Sequence, residues 1–140
     1  MKILVDTGAF IALFVKEDIN HKITSNQYVE YRKQNTLLFT SDYILDELFT
    51  RLLYDCGEYI MKIKVKQINQ MIEQKELTLL SVDKVIFEKA QEIFLKFSEH
   101  KVSFTDATTY VLYKDFSMDE IFTLDSDFKK MRVKTSFSVL

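Results

Sequence analysis

Four acidic residues lie at points of the chain where a parallel α/β fold would bring their side chains together. Asp6 and Asp125 each directly follow a short apolar run. Asp106 falls in the first turn of a predicted helix, and Glu47 in the first or second turn of another. In open α/β sheets the carboxyl ends of the strands and the helix starts that follow them line one edge, where ligands bind. We therefore expect these four carboxylates to converge on one pocket.

Such a set of carboxylates favours a divalent cation site. Four negative charges on one edge repel one another strongly unless a cation neutralises them, and an all-oxygen donor set suits Mg²⁺ or Mn²⁺. A zinc site is not indicated, because His21 and His100 lie in polar surroundings without ligand spacing. The single cysteine, Cys56, sits beside an acidic residue with no histidine nearby, which argues against a nucleophile.

Each acid also has a purely structural interpretation. Carboxylates at helix N-termini are stabilised by free N–H groups and by the helix dipole, typically by ~0.3 to 1 kcal/mol. On this interpretation Asp6 and Asp125 are simple N-caps. Asp106 then belongs to a capping box with Ser103. The set of four, rather than any one residue, favours the functional interpretation.

Two of the four positions have an acidic neighbour that is an alternative ligand. Asp46 precedes Glu47, and Asp127 follows Asp125 by two residues. Glu47 also has Arg51 four residues later, at the spacing of a helical ion pair. The residues alone leave both choices open.

Short apolar runs alternate with longer helical patterns between these residues. Strands are predicted over residues 2–5, 36–40, 77–82 and 121–124, with a further candidate over 137–140. Helices are predicted after Asp6, over 20–34, as a hairpin on either side of Gly57, after Asp83 and from Ser103 to about Asp115. Ser41 or Asp42 is expected to cap the first helix of the hairpin. Alternation of this kind predicts an α/β fold with a parallel sheet and helices on both faces.

Composition limits the class of protein. A chain of 140 residues with 47% hydrophobic content is expected to form one domain over residues 1–140. A single cysteine excludes an internal disulfide and favours a reducing compartment. Residues 1–15 do not resemble a signal peptide, and no window approaches the ~20 uncharged apolar residues of a membrane span. We expect a cytoplasmic protein.

Net charge gives a mixed signal on nucleic acid binding. The formal net charge is −2, whereas phosphate contacts need lysine and arginine. Bound divalent cations would reverse the local sign of a four-carboxylate site, which weakens this objection. Basic residues cluster at 129–134 and at 62–66, either as phosphate contacts or as solvated faces.

Four segments together resemble the PIN-domain family, and within it the VapC-like toxin ribonucleases of prokaryotic toxin–antitoxin systems. Residues 3–14 read ILVDTGAFIALF and resemble the first family motif; residues 41–48 read SDYILDEL and resemble the second, which favours Glu47 as its acid. Residues 103–107 read SFTDA, and residues 121–128 read IFTLDSDF, with Asp125 at the acidic position of the fourth motif. The four motifs occur in the family order over nearly the whole chain.

The resemblance implies a PIN-like three-layer fold, with a central parallel sheet of about five strands, and metal-dependent hydrolysis of RNA. It implies catalytic and metal-binding roles for Asp6, Glu47, Asp106 and Asp125, with Asp6 and Asp106 as the main ligands of Mg²⁺ or Mn²⁺. Hydroxyls expected to contact ligands or phosphate are those of Thr7, Ser103 and Thr123. It also implies an RNA substrate, an antitoxin partner and a homodimer.

Other functions predict different features. A phosphate-accepting signalling domain requires one Asp at the end of a central strand and a Lys at the end of the last, an arrangement that the sequence does not show. An inactive PIN-like scaffold that only binds RNA or protein is disfavoured by the presence of all four acids. A PIN nuclease of RNA processing, outside any toxin–antitoxin pair, remains an alternative. Phe10, Phe14 and Tyr28 belong either to the core or to a dimer or antitoxin contact.

Overall fold

The computed structural model describes residues 1–137, and its centre is a parallel sheet. Within these residues the sheet has four strands in the order β3-β2-β1-β4. The strands are β1 (Lys2–Val5), β2 (Leu37–Ser41), β3 (Thr78–Leu80) and β4 (Glu120–Phe122). In the central register Leu4 of β1 pairs with Phe39 of β2 and with Ile121 of β4. The predicted α/β class with a parallel sheet is confirmed.

Helices connect and flank the strands. They are α1 (Thr7–Phe14), α2 (His21–Lys33), α3 (Asp42–Cys56), α4 (Glu58–Glu73), α5 (Lys84–Lys96), α6 (Phe104–Asp115) and α7 (Asp127–Lys130). A 3₁₀ turn (Ser98–His100) joins α5 to α6. No helix within residues 1–137 combines the length and the apolar character needed to cross a lipid bilayer.

The sheet has fewer strands than expected. Four are found in residues 1–137, against the prediction of about five. The predicted fifth segment, 137–140, lies outside the described residues except for Phe137. Thr135 instead makes an isolated parallel bridge to Ile121 of β4. The edge beyond β4 is therefore extended by a single bridge.

Burial of the central strand follows from its position. Ile3 and Leu4 are fully buried, and Val5 is nearly so, because parallel strands at the centre of a sheet are covered on both faces. This explains why the strand sequence is continuously apolar. The C-terminal end of β1 is consequently held in a fixed place, and so is the residue that follows it, Asp6.

Local capping positions the helices. The side chain of Ser41, rather than that of Asp42, caps α3 by accepting from the backbone N–H of Ile44 at 3.0 Å. Asp42 instead accepts from the N–H of Val82 at 3.0 Å, which ties the segment after β3 to the start of α3. Gly57 joins α3 to α4 with a φ of 89°, a value that side chains disfavour. The predicted helical hairpin is therefore present.

Candidate active site

A cleft of about 360 Å³ opens at the carboxyl edge of the sheet, beyond the ends of β1 and β4. The residues that line it are Asp6, Thr7, Gly8, Glu47, Arg51, Ser103, Asp106 and Asp125. All four acids selected from the sequence therefore lie around one cleft. They come from four separate segments of the chain, brought together by the parallel topology.

Asp6 is the most deeply placed of the four. It is 6% exposed, and its backbone N–H continues the β1–β4 ladder by donating to the carbonyl of Phe122 at 3.0 Å. Its side chain makes no capping hydrogen bond with α1. Instead its Oδ2 accepts from the hydroxyl of Thr123 at 2.9 Å. Capping of α1 therefore does not explain why the Asp6 carboxyl is held in this place.

The electrostatic environment of Asp6 opposes ionisation. Burial, followed by the charge of Asp106, raises the pKa of Asp6 to about 7, against the lowering effects of the hydrogen bonds from the Thr123 side chain and the Thr7 backbone. Such a carboxyl carries a proton in an appreciable fraction of molecules near neutral pH unless a cation offsets its charge. A buried carboxylate with this shift is a marker of a functional site.

Asp106 is both a capping residue and a wall of the cleft. The Ser103 hydroxyl accepts from the Asp106 N–H at 3.0 Å, and Asp106 Oδ2 accepts from the Ser103 N–H at 3.4 Å, which forms the predicted capping box. Burial and then the charge of Asp125 raise the pKa of Asp106 to about 6. The hydrogen bonds from Ser103 lower this pKa but do not offset the rise, and Asp106 still lines the cleft. Capping and ligand binding are therefore compatible here.

Glu47 lies in the second turn of α3 and faces the cleft, whereas the neighbouring Asp46 is exposed and does not line it. Burial raises the pKa of Glu47, the nearby Arg51 guanidinium lowers it, and Asp125 raises it. The ion pair with Arg51 spans 4.0 Å between two partly exposed side chains. An ion pair of this kind stabilises a protein by ~1 kcal/mol or less, so it does not by itself explain why Glu47 lies at the cleft.

Asp125 lies in a tight turn after β4. Its Oδ1 accepts from the backbone N–H of Asp127 at 2.8 Å, and its own N–H donates to the Thr123 hydroxyl at 3.0 Å. Asp127 pairs with Lys130 at 3.0 Å and is not among the residues that line the cleft. The structure therefore places Asp125 rather than Asp127 at the cleft.

The three hydroxyl residues selected from the sequence have distinct partners. Thr123 links Asp6 to Asp125. Its hydroxyl donates to the carboxylate of Asp6 and accepts from the backbone N–H of Asp125. Ser103 holds the first turn of α6, as described above. The Thr7 hydroxyl donates to the carbonyl of Ile44 at 3.4 Å and so joins α1 to α3. Thr7 is thus engaged with backbone rather than with a carboxylate.

Arg51 is the cleft residue whose role sequence reasoning missed. It is the single cation among the residues of 1–137 that line the cleft. The i, i+4 spacing from Glu47 indicated a helical ion pair, and the same spacing places Arg51 on the cleft side of α3. A guanidinium at this position can contact a phosphate in two places.

The four carboxylates suit a hard cation that keeps several of its waters better than they suit a cation enclosed by protein ligands alone. All four acidic groups are oxygen donors, which suits Mg²⁺ or Mn²⁺. In residues 1–137, however, no three Asp, Glu, His or Cys side chains are arranged to hold a metal ion by themselves. Mg²⁺ usually keeps several waters and is bound by one or two carboxylates together with substrate phosphates. The cleft meets that requirement without any rearrangement into a closed cage.

Comparison with known proteins identifies the family. Residues 3–134 match the family model of the PIN domain. This chain belongs to the PIN-domain family. A VapC ribonuclease from Archaeoglobus fulgidus is 28% identical over 132 residues, which cover 91% of this chain and 80% of that protein. The family that the four motifs predicted is therefore confirmed.

Solved structures share the PIN fold over nearly their whole length. VapC20 from Mycobacterium tuberculosis, a toxin that cleaves the sarcin–ricin loop, has a TM-score of 0.81 at 22% identity, over 94% of this chain and 95% of that one. VapBC2 from Rickettsia felis, solved with a DNA fragment from its promoter, has a TM-score of 0.72 at 13% identity, over 97% and 98%. At these identities the likeness is one of fold.

Proposed function

We propose that this PIN-domain protein is a metal-dependent endoribonuclease that hydrolyses phosphodiester bonds of RNA in the cytoplasm, as the toxin of a toxin–antitoxin pair. The observation that carries the proposal is the convergence of Asp6, Glu47, Asp106 and Asp125 on one cleft. The Archaeoglobus fulgidus relative, which is named a VapC ribonuclease, supports the same activity.

Mg²⁺ or Mn²⁺, when bound, would supply a water of lowered pKa as the nucleophile and positive charge that offsets the negative charge of the transition state. Asp6 and Asp106 would be the main ligands of the ion: both line the cleft, and their raised pKa values, about 7 and about 6, mark carboxyls whose negative charge a cation would offset. Glu47 and Asp125 complete the oxygen set, directly or through water. These roles require ionised carboxylates, so ion binding releases the protons that burial retains.

Neighbouring side chains hold these groups in place. Thr123 fixes one oxygen of Asp6, and Ser103 fixes the backbone at Asp106. Outer contacts of this kind orient a metal ligand and raise ion affinity. Arg51, on the wall of the cleft, is positioned to bind a non-bridging oxygen of the scissile phosphate.

An apolar groove offers a surface for an antitoxin. It encloses about 220 Å³ between α1, α2 and α4, and its lining includes Leu13, Phe14, Tyr28, Val29 and Met71. Phe10, also in the lining, is almost fully buried and belongs to the core. Val29 is 49% exposed, so the groove keeps apolar surface in contact with water. An apolar helix of an antitoxin is the proposed occupant; a homodimer stays a prediction from the family alone.

Two other functions within the family predict different results. A PIN nuclease of RNA processing shares the chemistry but does not arrest growth. An inactive scaffold binds RNA without cleaving it, and it has no need of four buried or half-buried carboxylates around one cleft.

A cleavage assay tests the activity. Purified protein is incubated with single-stranded RNA in Mg²⁺ or Mn²⁺ and, separately, in chelator. We expect cleavage only with metal, and loss of cleavage in Asp106→Asn with an unchanged circular dichroism spectrum. Asp46→Asn is the matched control, because it removes the same charge from an exposed side chain that neighbours Glu47 in sequence but does not line the cleft. Full activity in chelator, or in Asp106→Asn, would rule out the proposed mechanism.

A growth assay tests the toxin role separately. Expression of the wild-type chain alone in a bacterial host is expected to slow growth, and Asp6→Asn is expected to relieve the effect. Equal growth of the two strains, together with cleavage in the assay above, would favour RNA processing.

A further inference from the structure

A second groove lies between α5, α6 and α7 and has a volume of about 480 Å³. Its lining combines four cationic side chains, two aromatic rings and one methionine: Lys96, Lys114, Lys130, Arg132, Phe97, Tyr110 and Met131. None of these seven residues is acidic, in a chain with 21 acidic and 19 basic residues. We call this surface the basic groove. It gathers positive charge from three separate elements.

Most of the charge in the basic groove is not neutralised. Lys130 pairs with Asp127 at 3.0 Å. Among the ion pairs formed within residues 1–137, none involves Lys96, Lys114 or Arg132, and all three are exposed. Like charges held within a Debye length of ~10 Å repel one another. An anionic ligand would relieve that repulsion.

The aromatic rings indicate which anion fits. Phe97 and Tyr110 lie with ring centroids 6.3 Å apart, and both are only partly buried. The Nζ of Lys96 is 5.5 Å from the Phe97 centroid, and that of Lys114 is 5.9 Å from the Tyr110 centroid. Cations interleaved with aromatic faces are typical of surfaces that bind single-stranded nucleic acid, where phosphates meet the cations and bases stack on the rings.

Two segments lead from the carboxylate cleft to the basic groove: α6, which contributes residues to both linings, and the turn after Asp125 that leads into α7. Tyr110 and Lys114 follow Asp106 on α6 by four and eight residues, which places them ~6 and ~12 Å along the helix axis and within about a quarter turn around it. Lys130 ends α7, whose first residue, Asp127, donates to Asp125. A strand that leaves the cleft along α6 therefore meets the basic groove.

We propose that the basic groove binds the backbone phosphates of single-stranded RNA a few nucleotides from the cleaved bond, with one base stacked on the accessible part of Tyr110. This inference rests on the proposed ribonuclease function. It accounts for how a chain of net charge −2, with four acids in its cleft, attracts a polyanion. The cleft repels the RNA until metal is bound, whereas the basic groove attracts it.

RNA binding in chelator tests the charge part of the proposal without cleavage. Binding of a labelled single-stranded RNA is measured between 0.1 and 1 M salt for wild type and for the double variant Lys96→Ala/Lys114→Ala. Loss of two phosphate contacts should reduce the salt slope of log K by about 1.4, which is about 25-fold in affinity for each tenfold change in salt. The matched control is Lys33→Ala/Lys84→Ala, two exposed lysines that do not line the basic groove; it should keep the wild-type slope.

Two substitutions test the aromatic part. Tyr110→Leu should weaken RNA binding by about fivefold or more, since a stacked base is lost. Tyr110→Phe keeps the ring and should bind as wild type does. Because Tyr110 also packs against the core, the melting temperature of Tyr110→Leu shows whether a loss of binding comes from stacking or from folding: an unchanged melting temperature assigns the loss to stacking. Equal binding by the Leu and Phe variants would overturn this part of the proposal.

Cleavage of two substrates separates the proposal from the proposed function. With metal, the Lys96→Ala/Lys114→Ala variant should lose kcat/KM on a long RNA, yet cleave an oligonucleotide too short to reach the basic groove as well as wild type does. Equal kcat/KM of both proteins on the long RNA, or an unchanged salt slope in chelator, would overturn the basic groove as an RNA site. Absence of cleavage by wild type would instead contradict the ribonuclease function.

Discussion

The hydroxyl of Thr123 donates to Oδ2 of Asp6 at 2.9 Å, across 117 positions of sequence, and accepts from the backbone N–H of Asp125 at 3.0 Å. One side chain thus fixes a buried carboxylate and the turn that carries a second one. The contact stabilises the charged form of Asp6, because this hydrogen bond lowers the pKa that burial raises.

Thr123→Val should therefore impair the site while preserving side-chain shape. Without the hydroxyl, the pKa of Asp6 rises further, and the Asp125 N–H loses its acceptor. Loss of such a supporting contact typically costs ~10- to 100-fold in metal affinity or activity. The acid limb of the pH–rate profile should also move to higher pH. Thr123→Ser keeps the hydroxyl and should stay close to wild type; if Ser and Val variants are equally impaired, the hydrogen bond is not the cause.

Asp6→Asn should stabilise the metal-free protein in a pH-dependent way. The folded-state pKa of about 7 lies above the unfolded value of ~3.9, so the folded state binds more protons between these values and stability falls as pH rises through this window. The penalty is absent below ~pH 3.9 and complete above ~pH 7, where it reaches at most ~4 kcal/mol.

Thermal melts in chelator at pH 5 and pH 8 measure this effect. The gain in melting temperature from Asp6→Asn should be larger at pH 8, because the wild-type carboxyl still retains its proton at pH 5. Asp46→Asn, which changes an exposed side chain, should give the same small change in melting temperature at both pH values. A gain that does not depend on pH would contradict the raised pKa of Asp6.

Two N-caps of similar geometry should differ in their effect on activity. Ser103 caps α6 by accepting from Asp106 N–H at 3.0 Å, and Asp83 caps α5 by accepting from Ile86 N–H at 2.8 Å. Replacing either with Ala should cost ~1 kcal/mol of stability. Only Ser103→Ala should lower the cleavage rate, because Ser103 lines the cleft and positions Asp106. Equal rates for both variants, measured well below their melting temperatures, would remove Ser103 from the site.

Most of this fold could be predicted from the sequence, because strands and helix caps are signalled by residues that lie close together in the chain. Asp83 and Ser103 cap α5 and α6 as predicted, and Ser41, one of the two candidates, caps α3. The extents of two strands were wrong: β3 covers Thr78–Leu80 rather than 77–82, and β4 ends at Phe122 rather than at residue 124. The Thr123 side chain explains the early end of β4. Its hydroxyl takes the place of a backbone acceptor for the Asp125 N–H, and the chain turns out of the sheet there.

Convergence of the four acids followed from topology, but other features required the packed structure. The choice of Glu47 over Asp46 depends on how α3 is rotated against the sheet, a matter of packing rather than of periodicity. Likewise, Lys96 and Lys114 are distant in sequence from the basic run at 129–134, and only the packing of α5, α6 and α7 brings them together. Side-chain packing between elements is the part that a single sequence does not encode locally.

The most direct test of the central claim is a melting series with Mn²⁺ on wild type and Asp6→Asn. A ligand that binds only the native state stabilises it by RT ln(1 + [L]/Kd), which is ~2.7 kcal/mol at ~100 times Kd and should raise the melting temperature of this domain by several degrees. We predict this rise for wild type and a much smaller one for Asp6→Asn, even though Asp6→Asn melts at the same or a higher temperature without metal. A wild type whose melting temperature does not respond to Mn²⁺ would contradict the metal site formed by Asp6, Glu47, Asp106 and Asp125.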